Sequence, residues 1–310
     1  MEPDYPGNQA ELWRMLELYV QQADENGFQV LVSITKAPDW ARPTNQENGP
    51  PTDPQLLATF IQGILDRFGL SIDAIEIWNE PNLVREWTGG TMSGAEYMRY
   101  FVPAYQAIRA WSQEAGHPIQ VITAGLAPTG NSEGSVDDRA FLRQMFQAGL
   151  GRYSDVAIGI HPYGWGNAPD ARCCNSVDGR GWDDNERFFF LDNIEAYHRI
   201  AVNAGYANMR FWITEFGWAT YDGFNSPAPQ PFFDYVTESL QASYTIKALD
   251  IVQNSGNYNY IDVMILWNLN YGTIPDAVAV HRNEQAGYSL MRPDGSYRPL
   301  YHMLSEALNG

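Results

Sequence analysis

The sequence predicts an α/β fold of the (β/α)8-barrel type, and three observations carry that reading. Short, nearly continuous apolar runs alternate with longer amphipathic stretches, as strands covered by helices on both faces require. Long irregular segments follow the runs, which is where such a barrel builds its active face. The chain has 310 residues, 45% apolar and 18% charged, enough for one sizeable core and too apolar for a disordered chain. A doubly wound parallel sheet shares this rhythm, so the motifs must decide.

In order, PGNQAELWRMLELYVQQADENG reads as a helix. Asn8 can cap it with Glu11 three residues on, Leu12, Leu16, Tyr19 and Ala23 share a face, and Gly27 ends it. Phe28–Ile34 is a strand. Asp53-Pro54 opens a helix that stops at Gly69, and Ile72–Asn79 is a second strand. Ser93-Gly-Ala-Glu96 is a capping box for a long helix to Ala115, with a kink expected at Pro103. Then come strand Ile119–Gly125, helix Asp138–Ala148, strand Asp155–His161, helix Asn185–Ala204, strand Met209–Glu215, helix Phe232–Asn254, strand Ile261–Leu269 and a closing helix Pro299–Leu308. Loops 37–51, 127–136, 162–184, 219–231 and 270–291 are long, and no repeat or linker divides residues 1–310. The expectation is a single catalytic domain.

This count gives six strand–helix units, and a closed barrel needs eight. The expectation is therefore that the first two strands are missing from this sequence. An export signal, and with it a secreted location, would lie in that missing part, because MEPDYPGNQ has neither a basic start nor an apolar run.

Composition narrows the function. A net charge of −18 argues against nucleic acid and anionic membranes as partners. No apolar run approaches a membrane span. The 10 Trp and 18 Tyr suit sugar faces, but aromatic rings fill cores too. The five histidines lack paired spacing, and Asp137-Asp138 and Asp183-Asp184 lack a calcium loop, so no metal is expected. No Gly-rich phosphate loop occurs, so no nucleotide cofactor is expected.

Two strands end in a bare acid. IEIWNE puts Glu80 at its tip and FWITE puts Glu215 at its tip. Ends of different strands meet at one face of a barrel, and two carboxylates flanking a cleft are what cleavage of a glycosidic bond requires. One must be held protonated and the other ionised, which different surroundings achieve. Taken singly, each is as readily a solvated strand-end acid.

Trp78-Asn79-Glu80-Pro81-Asn82 resembles the Asn-Glu-Pro signature after the fourth strand of glycoside hydrolase clan A. Ile213-Thr214-Glu215-Phe216-Gly217-Trp218 resembles that clan's nucleophile strand, the seventh. Counting Phe28–Ile34 as strand three puts both motifs in register. PDWA after it and TEFGW look closest to family 39-like and family 5-like enzymes. The resemblance implies a retaining β-glycoside hydrolase, a monomer acting on oligo- or polysaccharide, with Glu80 as acid/base and Glu215 as nucleophile. It further implies that Asn79 meets the sugar 2-hydroxyl, that His161 and Tyr163 form the clan's polar–aromatic pair with Tyr163 bonded to Glu215, and that Trp267 floors the subsite of the cleaved sugar. Trp40, Trp165 and Trp218 are candidates for outer subsites, or are loop aromatics packed on one another. The clan's basic residue on strand two has no counterpart here.

Two rival functions stand. Gly130-Asn-Ser132-Glu-Gly134 matches the G-x-S-x-G elbow of serine hydrolases, which needs a sharp turn directly between strand and helix; Leu126–Thr129 intervenes, and none of His198, His281 or His302 is placed by a motif. A non-catalytic sugar-binding barrel would keep the tryptophans and lose turnover. Cys173-Cys174, in the loop after the fourth of the six strands, is either two partly buried thiols or a vicinal disulfide that offers sugar an apolar platform.

Overall fold

The computed structural model of the chain describes residues 9–42, 48–174, 180–274 and 284–309. Among them are six strands: β1 (Leu31–Ile34), β2 (Ala74–Ile77), β3 (Gln120–Thr123), β4 (Val156–Ile160), β5 (Arg210–Phe216) and β6 (Ile261–Leu266). They form one sheet in sequential order. The pairs β1–β2, β2–β3, β3–β4 and β5–β6 are parallel. Helices run between successive strands, giving a partial (β/α)8 barrel: α1 (Gln9–Glu25), α2 (Pro54–Phe68), α3 (Gly94–Ala115), α4 (Asp138–Gln147), α5 (Phe190–Asn203), α6 (Pro231–Tyr235), α7 (Glu238–Asn254), α8 (Glu284–Tyr288) and α9 (Pro299–Asn309). The chain divides into two compact units, residues 1–159 with 200–210, and residues 160–199 with 211–310.

In the first unit β2 is buried along its whole length. Three helix starts follow the capping rules of the sequence. The side chains of Asp53, Ser93 and Asp137 accept the backbone N–H groups of Gln55, Glu96 and Ala140, satisfying donors that a helix start leaves orphaned. α2 buries Leu57, Ala58, Ile61, Ile64 and Leu65, the spacing of one helical face. α3 runs through Pro103 without a break. Its Tyr97 is fully buried; the hydroxyl donates to the Ile77 carbonyl and accepts the Ala124 N–H. That one phenol ties the ends of β2 and β3 together, and burial pushes its pKa well up.

Some expectations change in this unit, and the strands expected over Ile72–Asn79 and Ile119–Gly125 shorten to Ala74–Ile77 and Gln120–Thr123. Tyr19 is 65% exposed, and Val20 is buried in its place, because i to i+4 from Leu16 reaches Val20. The strand expected over Phe28–Ile34 shortens to Leu31–Ile34, and Phe28 lies in solvent. The Asn8 cap falls outside the described residues.

In the second unit the helix expected over Phe232–Asn254 is two helices. The backbone becomes extended at Val236 and Thr237, and Thr237 then caps α7 by accepting the Leu240 N–H. A good N-cap residue inside an apolar periodic run restarts the helix there. Gln241 on α7 donates to the carbonyls of Trp218 and Gly287, fixing the chain just beyond the end of β5.

Candidate active site

In the first unit the backbone after β2 does not simply trail into solvent. The Trp78 N–H donates to the Ile34 carbonyl, continuing the ladder to β1, and the Glu80 N–H donates to the Gly125 carbonyl beyond β3. Between those two anchors Trp78 and Glu80 both take positive φ, 76° and 41°. Each such non-glycine conformation costs about 1–2 kcal/mol and persists only where surrounding contacts over-determine it. Those contacts are on hand. The Trp78 ring is buried, packs edge-on against Trp87 at 5.2 Å and donates from Nε1 to the Glu86 carbonyl. Asn82 is fully buried; its amide donates to the carbonyls of Ala127 and Val136 and accepts the Ala127 N–H, at 2.9, 3.2 and 3.0 Å.

Glu80 is thereby held 7% exposed. Its Oε2 lies 3.1 Å from Nη2 of Arg85, whose side chain is 63% exposed. Glu86, next along, has its pKa raised, first by burial and also by the Glu80 charge, against the lowering effects of Lys36 and Arg85. Asn79 is half-buried beside Glu80.

In the second unit Glu215 sits in a strand irregularity. Ile213 pairs with Met264 and Phe216 with Leu266, so β5 spends three steps where β6 spends two. That is a bulge, and it re-aims the side chains of Thr214 and Glu215. The Tyr163 hydroxyl donates to Glu215 Oε2 at 2.7 Å. Nδ1 of the buried His161 lies 3.7 Å from the same oxygen, and its Nε2 is 3.1 Å from the Thr214 hydroxyl. The arrangement can hold a carboxylate ionised and oriented. Trp267 follows β6, half-buried, its N–H donating to the Phe216 carbonyl.

The three outer tryptophans fare differently. Trp40 is 46% exposed and lines a largely apolar cavity of about 570 Å³ with Trp13, Phe60 and Trp78. Trp165 is half-buried between Phe188 and Phe232, at 4.6 and 4.8 Å. Trp218 is 1% exposed, donates to the Asn167 carbonyl, and packs where a Cβ on Gly164 would lie 2.6 Å from its ring. It is a wall of the loop and offers no open face to a sugar.

Ser132 lacks the elbow geometry. Its hydroxyl bonds Ser135 Oγ at 2.7 Å and accepts the Gly134 N–H, within a tight loop bridge. His198 is stacked on Tyr260 at 3.8 Å, His302 lies on α9, and His281 falls outside the described residues. Cys173 and Cys174 are joined as a vicinal disulfide, and the Cys173 N–H donates to Asp192. Arg85 and the buried Asn82 are the residues whose roles sequence reasoning missed. The one available signal was an arginine five residues after the acid.

Residues 2–270 match the family model described as cellulase, glycosyl hydrolase family 5. Among solved structures, the chain is similar to a family 39 glycoside hydrolase from Bacteroides cellulosilyticus, at 17% identity and a TM-score of 0.61 over 96% of this chain and 53% of that one. A monomeric β-xylosidase from Caulobacter crescentus gives 16% and 0.61 over 96% and 56%. A triple mutant of an endo-β-1,4-glucanase from Xanthomonas axonopodis pv. citri gives 16% and 0.53 over 98% and 81%. The chain thus spans little more than half the length of the first two. No curated protein matches. Among the described residues, no helix is long and apolar enough to cross a membrane.

Proposed function

Because this chain belongs to the cellulase family, glycosyl hydrolase family 5, we propose that it is a retaining β-glycosidase of oligo- or polysaccharides, with Glu80 as acid/base and Glu215 as nucleophile. The observation that carries the reading is the 2.7 Å hydrogen bond from Tyr163 to Glu215. A phenol donor on a carboxylate favours its charged form, which a nucleophile must have. Glu80 has a different environment, buried and held by backbone anchors at both neighbouring strands, and different environments are what separate an acid from a base. Both acids stand just at or beyond the C-terminal ends of strands in one sheet, β2 and β5.

In the first step Glu80 gives its proton to the leaving glycosidic oxygen while Glu215 attacks the anomeric carbon, forming a glycosyl ester. In the second, Glu80 takes a proton from water and the water oxygen displaces Glu215. This requires the two carboxyl groups to stand about 5–5.5 Å apart across the bond. Asn79 is assigned to the sugar 2-hydroxyl, His161 and Tyr163 to orienting Glu215, and Trp267 and Trp40 to stacking on sugar rings.

The test is hydrolysis of aryl β-xylosides, aryl β-glucosides and β-1,4-glucan, the first and last being suggested by the similar enzymes, with wild type and Glu215→Gln in parallel. Loss of several orders of magnitude in the mutant supports the nucleophile. Undiminished turnover would overturn it.

A further inference from the structure

Resting on that reading, we propose that Arg85 is a positioning residue that sets when Glu80 carries its proton. An acid/base must be protonated for the first step and ionised for the second, so its balance between the two forms limits the pH range of the enzyme. In the structure the guanidinium Nη2 is 3.1 Å from Glu80 Oε2, and Glu80 is nearly buried while Arg85 is mostly exposed. A cation at that distance favours the charged carboxylate. It draws Glu80 toward its base form and narrows the range in which the enzyme can protonate a leaving group.

Glu86, on the same loop, is 4.0 Å from Arg85 Nε and carries the opposing charge. Lys36, from the loop after β1, acts on Glu86. Glu76, deeper on β2, accepts the Gly125 N–H. The loop after β3 brings the Gly125 carbonyl, which accepts from the Glu80 backbone and not from its side chain. In the proposed pairing Glu215 and His161 complete the set. Glu86 and, in the proposed pairing, Glu215 are carboxylates that favour the protonated form of Glu80, and Arg85, in hydrogen-bond contact with it, opposes them. Its side chain is 63% exposed, so a substitution there costs little in packing.

The experiment uses the whole chain in two readouts. The first is the kcat/KM–pH profile on a 4-nitrophenyl β-glycoside matching the active sugar, for wild type, Arg85→Gln and Arg85→Lys. The alkaline limb, which reports the acid, is expected to move up by about one pH unit in Arg85→Gln and by less in Arg85→Lys. The corresponding 2,4-dinitrophenyl glycoside, whose leaving group needs no proton, is expected to show the same limb in all three. The second readout needs no turnover. The Glu80 carboxyl carbon, labelled with ¹³C and assigned by its loss in Glu80→Gln, is titrated in wild type and Arg85→Gln, where its midpoint is expected to rise by a similar amount. An unmoved midpoint or an unmoved limb overturns the role of Arg85. Full activity of Glu80→Gln on the 4-nitrophenyl substrate overturns the acid/base reading itself, a separate failure.

Discussion

Tyr163→Phe deletes one oxygen and leaves the rest of the site intact. The ring of Tyr163 packs 5.1 Å from that of Tyr288, and phenylalanine keeps that contact. What goes is a donor 2.7 Å from Glu215 Oε2. A hydrogen bond to a charged group is worth roughly 1.5–3 kcal/mol. The Glu215 side chain is 17% exposed, and His161 Nδ1 stays 3.7 Å from the same oxygen. Water and the imidazole therefore recover part of the loss, which puts the effect at the low end, about 1.5 kcal/mol. At about 1.4 kcal/mol per pH unit, the acid limb of the kcat/KM profile moves up by about one unit. One unit below the wild-type limb, the variant is slower by about tenfold. The assay is that profile on an aryl β-glycoside, with thermal melts to show that the fold is unchanged. A limb that stays at the wild-type position refutes the assignment of Tyr163 as the residue that holds Glu215 ionised.

Other outcomes follow from the same contacts. Asn82→Ala leaves one buried carbonyl, one part-buried carbonyl and one buried N–H without the partners they have now, a cost of about 2–4 kcal/mol that a denaturant midpoint or a Tm lowered by several degrees would register; an unchanged midpoint would mean the loop closes without it. Arg172→Met removes bonds to Asp192, Glu195 and Tyr258. The Glu195 carboxyl is held below its usual range first by Arg172, against burial, with help from Tyr258. A lowered folded-state value means stability that is present above about pH 4.5 and lost as pH falls through the folded value. The Tm gap between variant and wild type is therefore wide at pH 7 and narrows toward pH 3, and an equal gap at both would contradict the pairing.

How much of this was legible in the sequence follows from what periodicity measures. All six apolar runs contain strands; β2 and β4 are buried along their whole length, as strands covered on both faces are, whereas β1 and β6 are only partly buried. Where the strands end is not written in the runs. The apolar run places the strand's end at Asn79, yet β2 stops at Ile77 because positive φ at Trp78 turns the chain off the ladder. That turn is fixed by Trp87, Asn82 and Gly125, the last two acting across or from another loop. Likewise Glu215 was legible as a strand-end acid, but the bulge that re-aims it depends on the register with β6, a property of two segments roughly fifty residues apart. The motif names the acids because their chemistry fixes their residue type. It is silent on Arg85, since a guanidinium can reach a carboxylate from many sequence positions and only the turn at Trp78–Glu80 brings this one to 3.1 Å. The tryptophans divide on the same principle. Trp218 and Trp40 both follow a strand in a polar loop, and nothing local distinguishes them. Gly164, on a different loop, leaves a flat space that the Trp218 ring fills, whereas Trp40 stays 46% exposed beside its cavity. Which aromatic ring keeps an open face is thus decided by glycine and loop placement elsewhere in the chain, and the proposed sugar-stacking role is assigned to Trp40 ahead of Trp218 for that reason.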